Sequence, residues 1–293
     1  MLDYSKILSP TVTSLKKSGI RKFFDLLEEM DNVVSLTVGQ PDFVTPWHIR
    51  EAGIESLERG KTYYTSNAGT LELRREISAY LSRRFGLMYD PKKEIIVTIG
   101  GSEAIDMTIR SIVTPGDEVI IPEPCFVCYE PLVRMAGGVP VIIDTCAQDR
   151  FKLTPEKLAA AITPRTKLLV LAYPNNPTGA VMTRDDLEKI AEVLRPTNIA
   201  VLSDEIYAEL TFGFKHTSIA SLPGMRERTI LASGFSKAYA MTGWRLGYVC
   251  APAEISDQIL KLHQYAIMCA PTTSQLAAVE AMKNGDADIE YIG

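Results

Sequence analysis

The chain has 293 residues, of which 46% are hydrophobic and 23% charged, and its formal net charge at pH 7 is -5. This composition is typical of a soluble globular protein that is long enough to bury a large core in one or two domains. The acidic balance, without a basic block, argues against nucleic acid as a partner. No apolar run reaches the ~18 residues of a membrane span, so we expect no membrane association.

The cysteines and the N-terminus indicate the compartment. Five cysteines, an odd number, favour free thiols in a reducing environment. The first residues include an acidic side chain and no apolar signal core, so we expect a cytoplasmic protein. Cys125 and Cys128 have CxxC spacing, but no second pair and no histidine lie near them in the sequence. We therefore expect no metal site.

Short elements separated by breakers are predicted before residue 90. Pro10, Gly19 and a polar loop over Gly60–Gly69 interrupt the apolar pattern. The predicted segments are an arm over 1–19, a helix over Ile20–Met30, a strand over Val33–Val38, a helix from Pro46 through Leu57 and a helix over Leu71–Phe85.

After this region, short β-branched runs alternate with longer amphipathic segments. Helical spacing covers Ser102–Val113 and Arg184–Leu194, and a proline-started helix follows the last run. Strands that alternate with helices predict an α/β fold, in which a mostly parallel seven-stranded sheet has helices on both faces. The predicted strands are Ile95–Ile99, Glu118–Ile121, Val139–Ile143, Lys167–Ala172, Ile199–Ser203, Thr229–Ala232 and Leu246–Cys250.

Polar residues follow several of these strands, at the edge where a parallel sheet binds ligands. The first strand ends in Gly100-Gly-Ser-Glu-Ala, which is either an anion-binding helix start or a tight turn with Ser102 as the N-cap. Neither GxGxxG nor GxxxxGK[ST] occurs, so a dinucleotide fingerprint and a P-loop are excluded. Asn176 lies in a turn stiffened by prolines, and Asp204 is either a helix cap or a functional carboxylate. Phe126 is either a core residue or a stacking platform.

The stretch Ser233–Tyr248 contains Lys237, just after a predicted strand, and Arg245, just before the next one. A lysine held by flanking strands is a candidate imine-forming amine, and a nearby arginine is a candidate anion clamp. An isolated pair of this kind is more often a solvated lysine and a surface ion pair. The residues after the other strands supply the partners that a functional lysine needs.

Taken together, these motifs resemble those of fold type I pyridoxal-phosphate enzymes, in particular the class I and II aminotransferases of the aspartate aminotransferase superfamily. They occur in that family's order and span nearly the whole chain. The matching motifs are Gly39-Gln-Pro-Asp, Tyr64 followed five residues later by Gly69, Gly100-Gly-Ser-Glu-Ala, Tyr173-Pro-Asn-Asn-Pro-Thr-Gly, Asp204-Glu-Ile-Tyr and Ser236-Lys-Ala-Tyr-Ala-Met-Thr-Gly-Trp-Arg.

The resemblance implies pyridoxal 5′-phosphate (PLP) as the cofactor and assigns catalytic roles. Lys237 is implied to hold the cofactor aldehyde as an imine and, once freed, to move a proton between the substrate Cα and the cofactor's C4′. Asp204 is implied to keep the pyridine nitrogen protonated, so that the ring withdraws electrons. Asn176 and Tyr207 are implied to bind the ring's phenolic oxygen, and Phe126 to stack on the ring.

The resemblance also implies a phosphate site and a shared substrate site. Backbone N–H groups of Gly101, Ser102 and Glu103 are implied to bind the phosphate, together with the Ser236 hydroxyl and the Arg245 guanidinium. Tyr64 is implied to contact the cofactor phosphate of the neighbouring subunit in a homodimer. Gly39 and Asn176 are implied to bind the substrate.

Two features depart from the family pattern. Gly234 stands three residues before the lysine, where the family often has a hydroxyl residue that bonds the phosphate. The sequence ends at Gly293 without the family's C-terminal segment, which carries the arginine that binds the substrate α-carboxylate, so no residue is assigned to that role. The expected division is an N-terminal arm and small-domain portion over 1–45, a large PLP-binding domain over 46–285, and the start of an interdomain helix over 286–293.

The predicted function is PLP-dependent transamination between an L-amino acid (aspartate, aromatic or other neutral) and a 2-oxo acid such as 2-oxoglutarate. A C–S lyase, a decarboxylase and a cyclopropane-carboxylate synthase are alternatives within the same fold, because they use the same lysine and ring contacts. A chain that binds the cofactor but turns over poorly is a further alternative, given the departure at the C-terminus.

Overall fold

A computed structural model of the chain describes residues 2–17 and 39–293. The predicted helix over Ile20–Met30 and the predicted strand over Val33–Val38 lie outside the described residues. Within them, no helix is both long enough and apolar enough to cross a membrane.

A single seven-stranded sheet forms the centre of the described fold, with the spatial order β1-β7-β6-β5-β4-β2-β3. Neighbours from β3 to β6 pair in parallel, whereas β7 is antiparallel to both β6 and β1. The prediction of a mostly parallel α/β sheet is confirmed, and each predicted strand lies within two residues of its observed bounds. The strands are β1 Ile95–Thr98, β2 Glu118–Glu123, β3 Val139–Asp144, β4 Thr166–Ala172, β5 Ala200–Asp204, β6 Thr229–Gly234 and β7 Gly247–Cys250.

Helix boundaries follow local capping chemistry. Thr70 caps the predicted helix Leu71–Phe85 by accepting from Leu73 N, and Gly86 ends that helix in the left-handed region with φ 69°. The helices of the described residues are α1 Pro10–Ser14, α2 Trp47–Glu58, α3 Leu71–Phe85, α4 Gly100–Ile112, α5 Tyr129–Met135, α6 Pro155–Ala161, α7 Arg184–Leu194, α8 Ala253–Ala266, α9 Thr272–Asn284 and α10 Asp286–Ile292.

Helices cover both faces of the sheet because successive strand side chains point to opposite sides. In β2, Val119 and Ile121 are buried in one apolar cluster with residues of α4, α5 and α8. Ile120 lies between them in sequence but is buried in another cluster, with residues of α6 and α7. Residues of α3 and α9 pack in a third cluster against β1, β6 and β7. The sheet is therefore an inner layer, and its strand ends are its accessible edges.

Several predicted site residues lie at the carboxyl ends of the parallel strands. Asp204 is the last residue of β5, and Asn176 follows the end of β4 by four positions. The β6 strand ends at Gly234, three residues before Lys237. Because parallel strands place their carboxyl ends at the same edge, these side chains converge there.

An acidic and basic cluster joins α2 to the last two described helices. His48 of α2 lies with Nδ1 2.8 Å from Glu280 Oε1 and with Nε2 2.8 Å from Asp288 Oδ2. Partial burial lowers the pKa of His48, but the hydrogen bonds to both carboxylates outweigh this effect, so the pKa lies above the ordinary 6.5. The imidazolium form therefore stabilises the fold.

We expect His48→Gln to make stability less dependent on pH. The contribution of His48 is fully present below pH 6.5 and is lost as the pH rises through the raised folded-state pKa. Since the cluster is about one-third exposed, the free energy of unfolding should fall by about 0.5 kcal/mol at pH 6 and by less at pH 9 in urea titrations. Lys283→Gln is the control, with a similar cost at both pH values, because it removes the ion pair between Lys283 on α9 and Glu72 on α3. Equal pH dependence in wild type and His48→Gln would contradict this role.

Candidate active site

A cavity of about 510 Å³ opens at the carboxyl edge of the sheet. It brings together residues from the ends of β4 and β5, from the β6–β7 connection and from the start of α4. Ten of the residues predicted from the sequence line this one cavity: Gly39, Gly101, Ser102, Phe126, Asn176, Asp204, Tyr207, Ser236, Lys237 and Arg245.

Two predicted residues lie outside this lining. Tyr64 is on the surface of the chain, where 75% of its area is exposed. The Glu103 side chain turns back onto α4, and its Oε2 accepts from Ile99 N at 2.5 Å. The helix therefore has Ile99 as its N-cap and begins at Gly100, so the alternative with Ser102 as the N-cap is wrong. The physical reason is that a side chain within the first turn, rather than one before it, satisfies the backbone N–H at the helix start.

Lys237 is partly buried at the cavity. Its Nζ donates to Gly39 O at 2.6 Å and lies 5.4 Å from the centroid of the Tyr207 ring. Burial lowers the pKa of Lys237, and the Arg245 guanidinium lowers it further. A larger fraction of the amine is therefore neutral near pH 7, and the neutral amine is the form that attacks carbonyl carbon and accepts protons.

Asp204 is a buried carboxylate that faces the same cavity, with 9% of its area exposed. Tyr129 donates its hydroxyl to Oδ2 at 2.7 Å, and Ile206 N donates to Oδ1 at 3.2 Å. Burial raises the pKa of Asp204; these two hydrogen bonds oppose the rise, while the charge of Glu205 adds to it. A buried carboxylate of this kind gains from a cationic partner in the cavity.

Arg245 lies across the first turn of α4. The residue has a left-handed backbone with φ 50°, and its Nη1 donates to Thr242 O at 3.2 Å. Gly100 has φ 71°, and a Cβ at this position would lie 2.6 Å from Arg245 Nη2. A Cβ at Gly247 would similarly lie 2.5 Å from the Gly100 carbonyl carbon. Both glycines are therefore needed to bring the guanidinium beside the N–H groups at the start of the helix.

The turn after β4 fixes which asparagine faces the cavity. Asn175 uses its side chain within the turn, since Oδ1 accepts from Thr178 N at 3.1 Å and from Thr178 Oγ1 at 2.7 Å. Asn176 is the one that lines the cavity. Phe126 also lines the cavity and packs edge-on against the Tyr129 ring, with 6.2 Å between the ring centroids. It is thus both a packing residue and part of the lining, so its two predicted roles are compatible.

Sequence reasoning missed Tyr129, although it touches the buried carboxylate. The residue begins α5, and its distance from Asp204 along the chain leaves no local signal of the contact. Cys125 also lines the cavity, and burial raises the pKa of its thiol to about 12, which keeps it protonated. In the ranges that the structure describes, no group of three or more His, Cys, Asp or Glu side chains is arranged to hold a metal ion.

Comparison with known proteins identifies the family to which this chain belongs. The family "Aminotransferase class I and II" matches residues 31–292. The chain belongs to the class I and II aminotransferases. A Bacillus subtilis protein named "Putative aminotransferase YugH" is 57% identical over 97% of this chain and 73% of its own length. The "Probable N-acetyl-LL-diaminopimelate aminotransferase" of the same organism is 46% identical over 96% of this chain and 71% of its own length.

A solved structure gives the same result for the fold of this aminotransferase. The aspartate aminotransferase of Rhizobium meliloti superposes with a TM-score of 0.93 at 36% identity. That match covers 97% of this chain and 73% of the solved one. The chain is therefore an enzyme with the fold type I architecture that the motifs implied.

Class I and II aminotransferases use PLP, and so does this chain. The residues of the cavity fit that cofactor. The lining has an amine at Lys237, a buried carboxylate at Asp204 and a guanidinium at Arg245. Arg245 can lie beside the N–H groups at the start of α4 because Gly100 has no Cβ to collide with its guanidinium. Aldehyde, ring nitrogen and phosphate each have a chemically matched group.

We expect Tyr129→Phe to destabilise the fold through Asp204. Loss of the hydroxyl leaves a buried carboxylate with one donor fewer, which should cost about 1–3 kcal/mol in the free energy of unfolding. Denaturant titration checks this value, with Phe126→Leu as the control because it changes the neighbouring ring without removing a donor to Asp204. If Tyr129→Phe cost no more than the control, the hydrogen bond would not be what stabilises the buried carboxylate.

Proposed function

We propose that this aminotransferase moves the amino group of an L-amino acid to a 2-oxo acid such as 2-oxoglutarate, with PLP linked to Lys237. The observation that carries the proposal is that Lys237, Asp204 and Arg245 line a single cavity. When bound, PLP supplies an electron-withdrawing ring that stabilises negative charge at the substrate Cα. The residues of the chain bind the cofactor, position it and transfer the proton.

Lys237 is proposed to hold the cofactor and then to carry the proton. Its partly buried Nζ, with a lowered pKa, supports both roles. When not linked to the cofactor, Nζ would act as a general base for the proton on the substrate Cα and would carry that proton. Tyr207, whose ring lies 5.4 Å from Nζ, is proposed to bind the ring's phenolic oxygen together with Asn176.

Asp204 is proposed to hold a proton on the pyridine nitrogen. The carboxylate is buried, so its attraction to a cationic ring nitrogen is little screened by water. Tyr129 and Ile206 fix the carboxylate from behind by their hydrogen bonds. Phe126, which lines the cavity, is proposed to stack on the ring face.

The phosphate is proposed to bind at the start of α4. The backbone N–H groups of Gly101, Ser102 and Glu103 lie at the positive end of this helix. Ser236 and Arg245 line the same cavity, and Arg245 lies beside Gly100 at this helix start. A bidentate guanidinium beside helix N–H groups suits a dianion better than a single ammonium would.

The donor is proposed to be aspartate, an aromatic amino acid or another neutral amino acid. Relatives named for aspartate and for aromatic amino acids support the first two of these donors. The apolar Val127 in the cavity lining supports a neutral or aromatic side chain. The carbonyl oxygen of Gly39 accepts from Lys237 in this structure, and the backbone of Gly39 is proposed to contact the substrate carboxylate.

Assembly and location are part of the same proposal. The exposed Tyr64 supports a homodimer in which this tyrosine reaches the phosphate site of the partner. Five free cysteines support a cytoplasmic location. The division into 1–45, 46–285 and 286–293 is retained as a proposal.

Replacing Lys237 should abolish covalent capture of PLP. Lys237→Ala is expected to lose the absorption band of the linked cofactor and to transaminate no donor, because no other amine lines the described cavity. Lys215→Ala removes an exposed lysine outside the lining and is the control.

A panel of aspartate, aromatic and neutral donors with 2-oxoglutarate tests the substrate class. A wild type that captures PLP but converts none of these donors would overturn the proposed reaction.

Replacing Asp204 should separate capture from turnover. We expect Asp204→Ala to form the covalent link with Lys237 but to slow the single-turnover half-reaction by roughly 100-fold or more, because one preorganised charge is lost. Stopped-flow absorbance with the best donor measures this rate. Asp185→Ala, on the first turn of α7, is the control for loss of a carboxylate. An unchanged rate in Asp204→Ala would show that the ring nitrogen does not depend on this residue.

A further inference from the structure

A buried histidine joins α8 to the first turn of α4. His263 has no exposed surface, and its Nδ1 lies 2.6 Å from Glu103 Oε1. The other oxygen of Glu103 accepts from Ile99 N at 2.5 Å. Both oxygens of this carboxylate are therefore engaged behind the helix start rather than in the cavity, and neither His263 nor Glu103 belongs to the cavity lining.

The environment of the ring fixes which nitrogen carries the proton. His263 Nε2 is buried and has no hydrogen-bond partner among the described residues. A proton there would leave a buried N–H without an acceptor, which is costlier than a bare ring nitrogen. Nδ1 is therefore the protonated nitrogen, and it donates to Glu103.

Glu103 has a charge that conflicts with the phosphate site. A carboxylate in the first turn is attracted to the same free N–H groups and the same positive helix end that favour a phosphate. Gly101 and Ser102, which precede Glu103 directly, line the cavity at that helix end. The two anions can share the helix start only if the carboxylate is held away from these groups.

We propose that His263 is a positioning residue for the phosphate end of PLP. By donating to Glu103, it keeps that carboxylate on Ile99 N and leaves the N–H groups of Gly101 and Ser102 free for the phosphate. This inference rests on the proposed function, because it assumes that PLP binds in the cavity with its phosphate at the start of α4. His263 acts through Glu103 and touches neither cofactor nor substrate.

Loss of the donor should weaken the phosphate contact specifically. In His263→Phe, Glu103 keeps its charge but loses its partner, so it competes with the phosphate for the helix N–H groups. We expect the affinity for PLP to fall roughly tenfold, in line with the loss of a hydrogen bond to a charged group. The affinity for pyridoxal, which lacks the phosphate, should remain unchanged.

The test is the ratio of PLP affinity to pyridoxal affinity, measured by absorbance titration of the apoenzyme with each compound. The variants are His263→Phe, which keeps a ring of similar size, and His263→Leu, a second non-donating change in case the first does not fold. His263→Asn is expected to restore the ratio, because its amide nitrogen corresponds in position to Nδ1. Ile259→Val is the control for a buried change on the same helix, since Ile259 is fully buried.

The outcomes separate the two ideas. A lowered ratio in the non-donating variants, with a wild-type ratio in His263→Asn and Ile259→Val, supports the inference. Equal losses of affinity for PLP and pyridoxal would assign His263 a general packing role and would overturn the inference. A lowered ratio in His263→Asn would overturn it as well. A wild-type protein that binds neither compound would instead overturn the proposed function.

Discussion

The closeness of two cations, Lys237 and Arg245, is the constraint on which the rest of the site depends. Burial lowers the pKa of Lys237, and the nearby Arg245 guanidinium lowers it further. A guanidinium also offers several N–H donors in one plane. The site therefore places an amine that loses its proton more readily than usual beside a guanidinium cation. This pairing suits a cofactor with an aldehyde at one position and a phosphate at another.

Much of the fold follows from local patterns in the sequence. Short β-branched runs and amphipathic segments located all seven strands to within two residues, because burial on both faces selects such runs. The orientation of β7 was not predictable in this way. Its pairing with β1 joins Ile95 to Cys250, far apart along the chain, and depends on tertiary packing. The connection from Phe235 to Leu246 contains no α-helix, a feature consistent with the change of direction.

The site was predictable to the extent that its residues follow strands. Strand ends meet at one edge, so Asn176, Asp204 and Lys237 were expected to converge, and they line one cavity. Tyr129 and His263 approach from helices, and which helix faces meet is decided only by packing between distant segments. Neither the Tyr129–Asp204 contact nor the His263–Glu103 contact can be predicted from local sequence patterns. The role of Tyr64 depends on a second subunit, so it stays a prediction.

The antiparallel β6–β7 pairing has a consequence for how the chain acquires its chemistry. Ser233 pairs with Tyr248 and Gly234 with Gly247, so both cationic residues lie in one closed loop of a hairpin. Their spacing is thus set by a contact of short sequence separation, which forms with little loss of chain entropy. The position of Asp204 relative to this hairpin depends instead on the β5–β6 pairing, which joins residues farther apart along the chain. The spacing of the amine and the guanidinium is accordingly set within one hairpin, whereas a separate pairing of parallel strands sets their distance from the carboxylate.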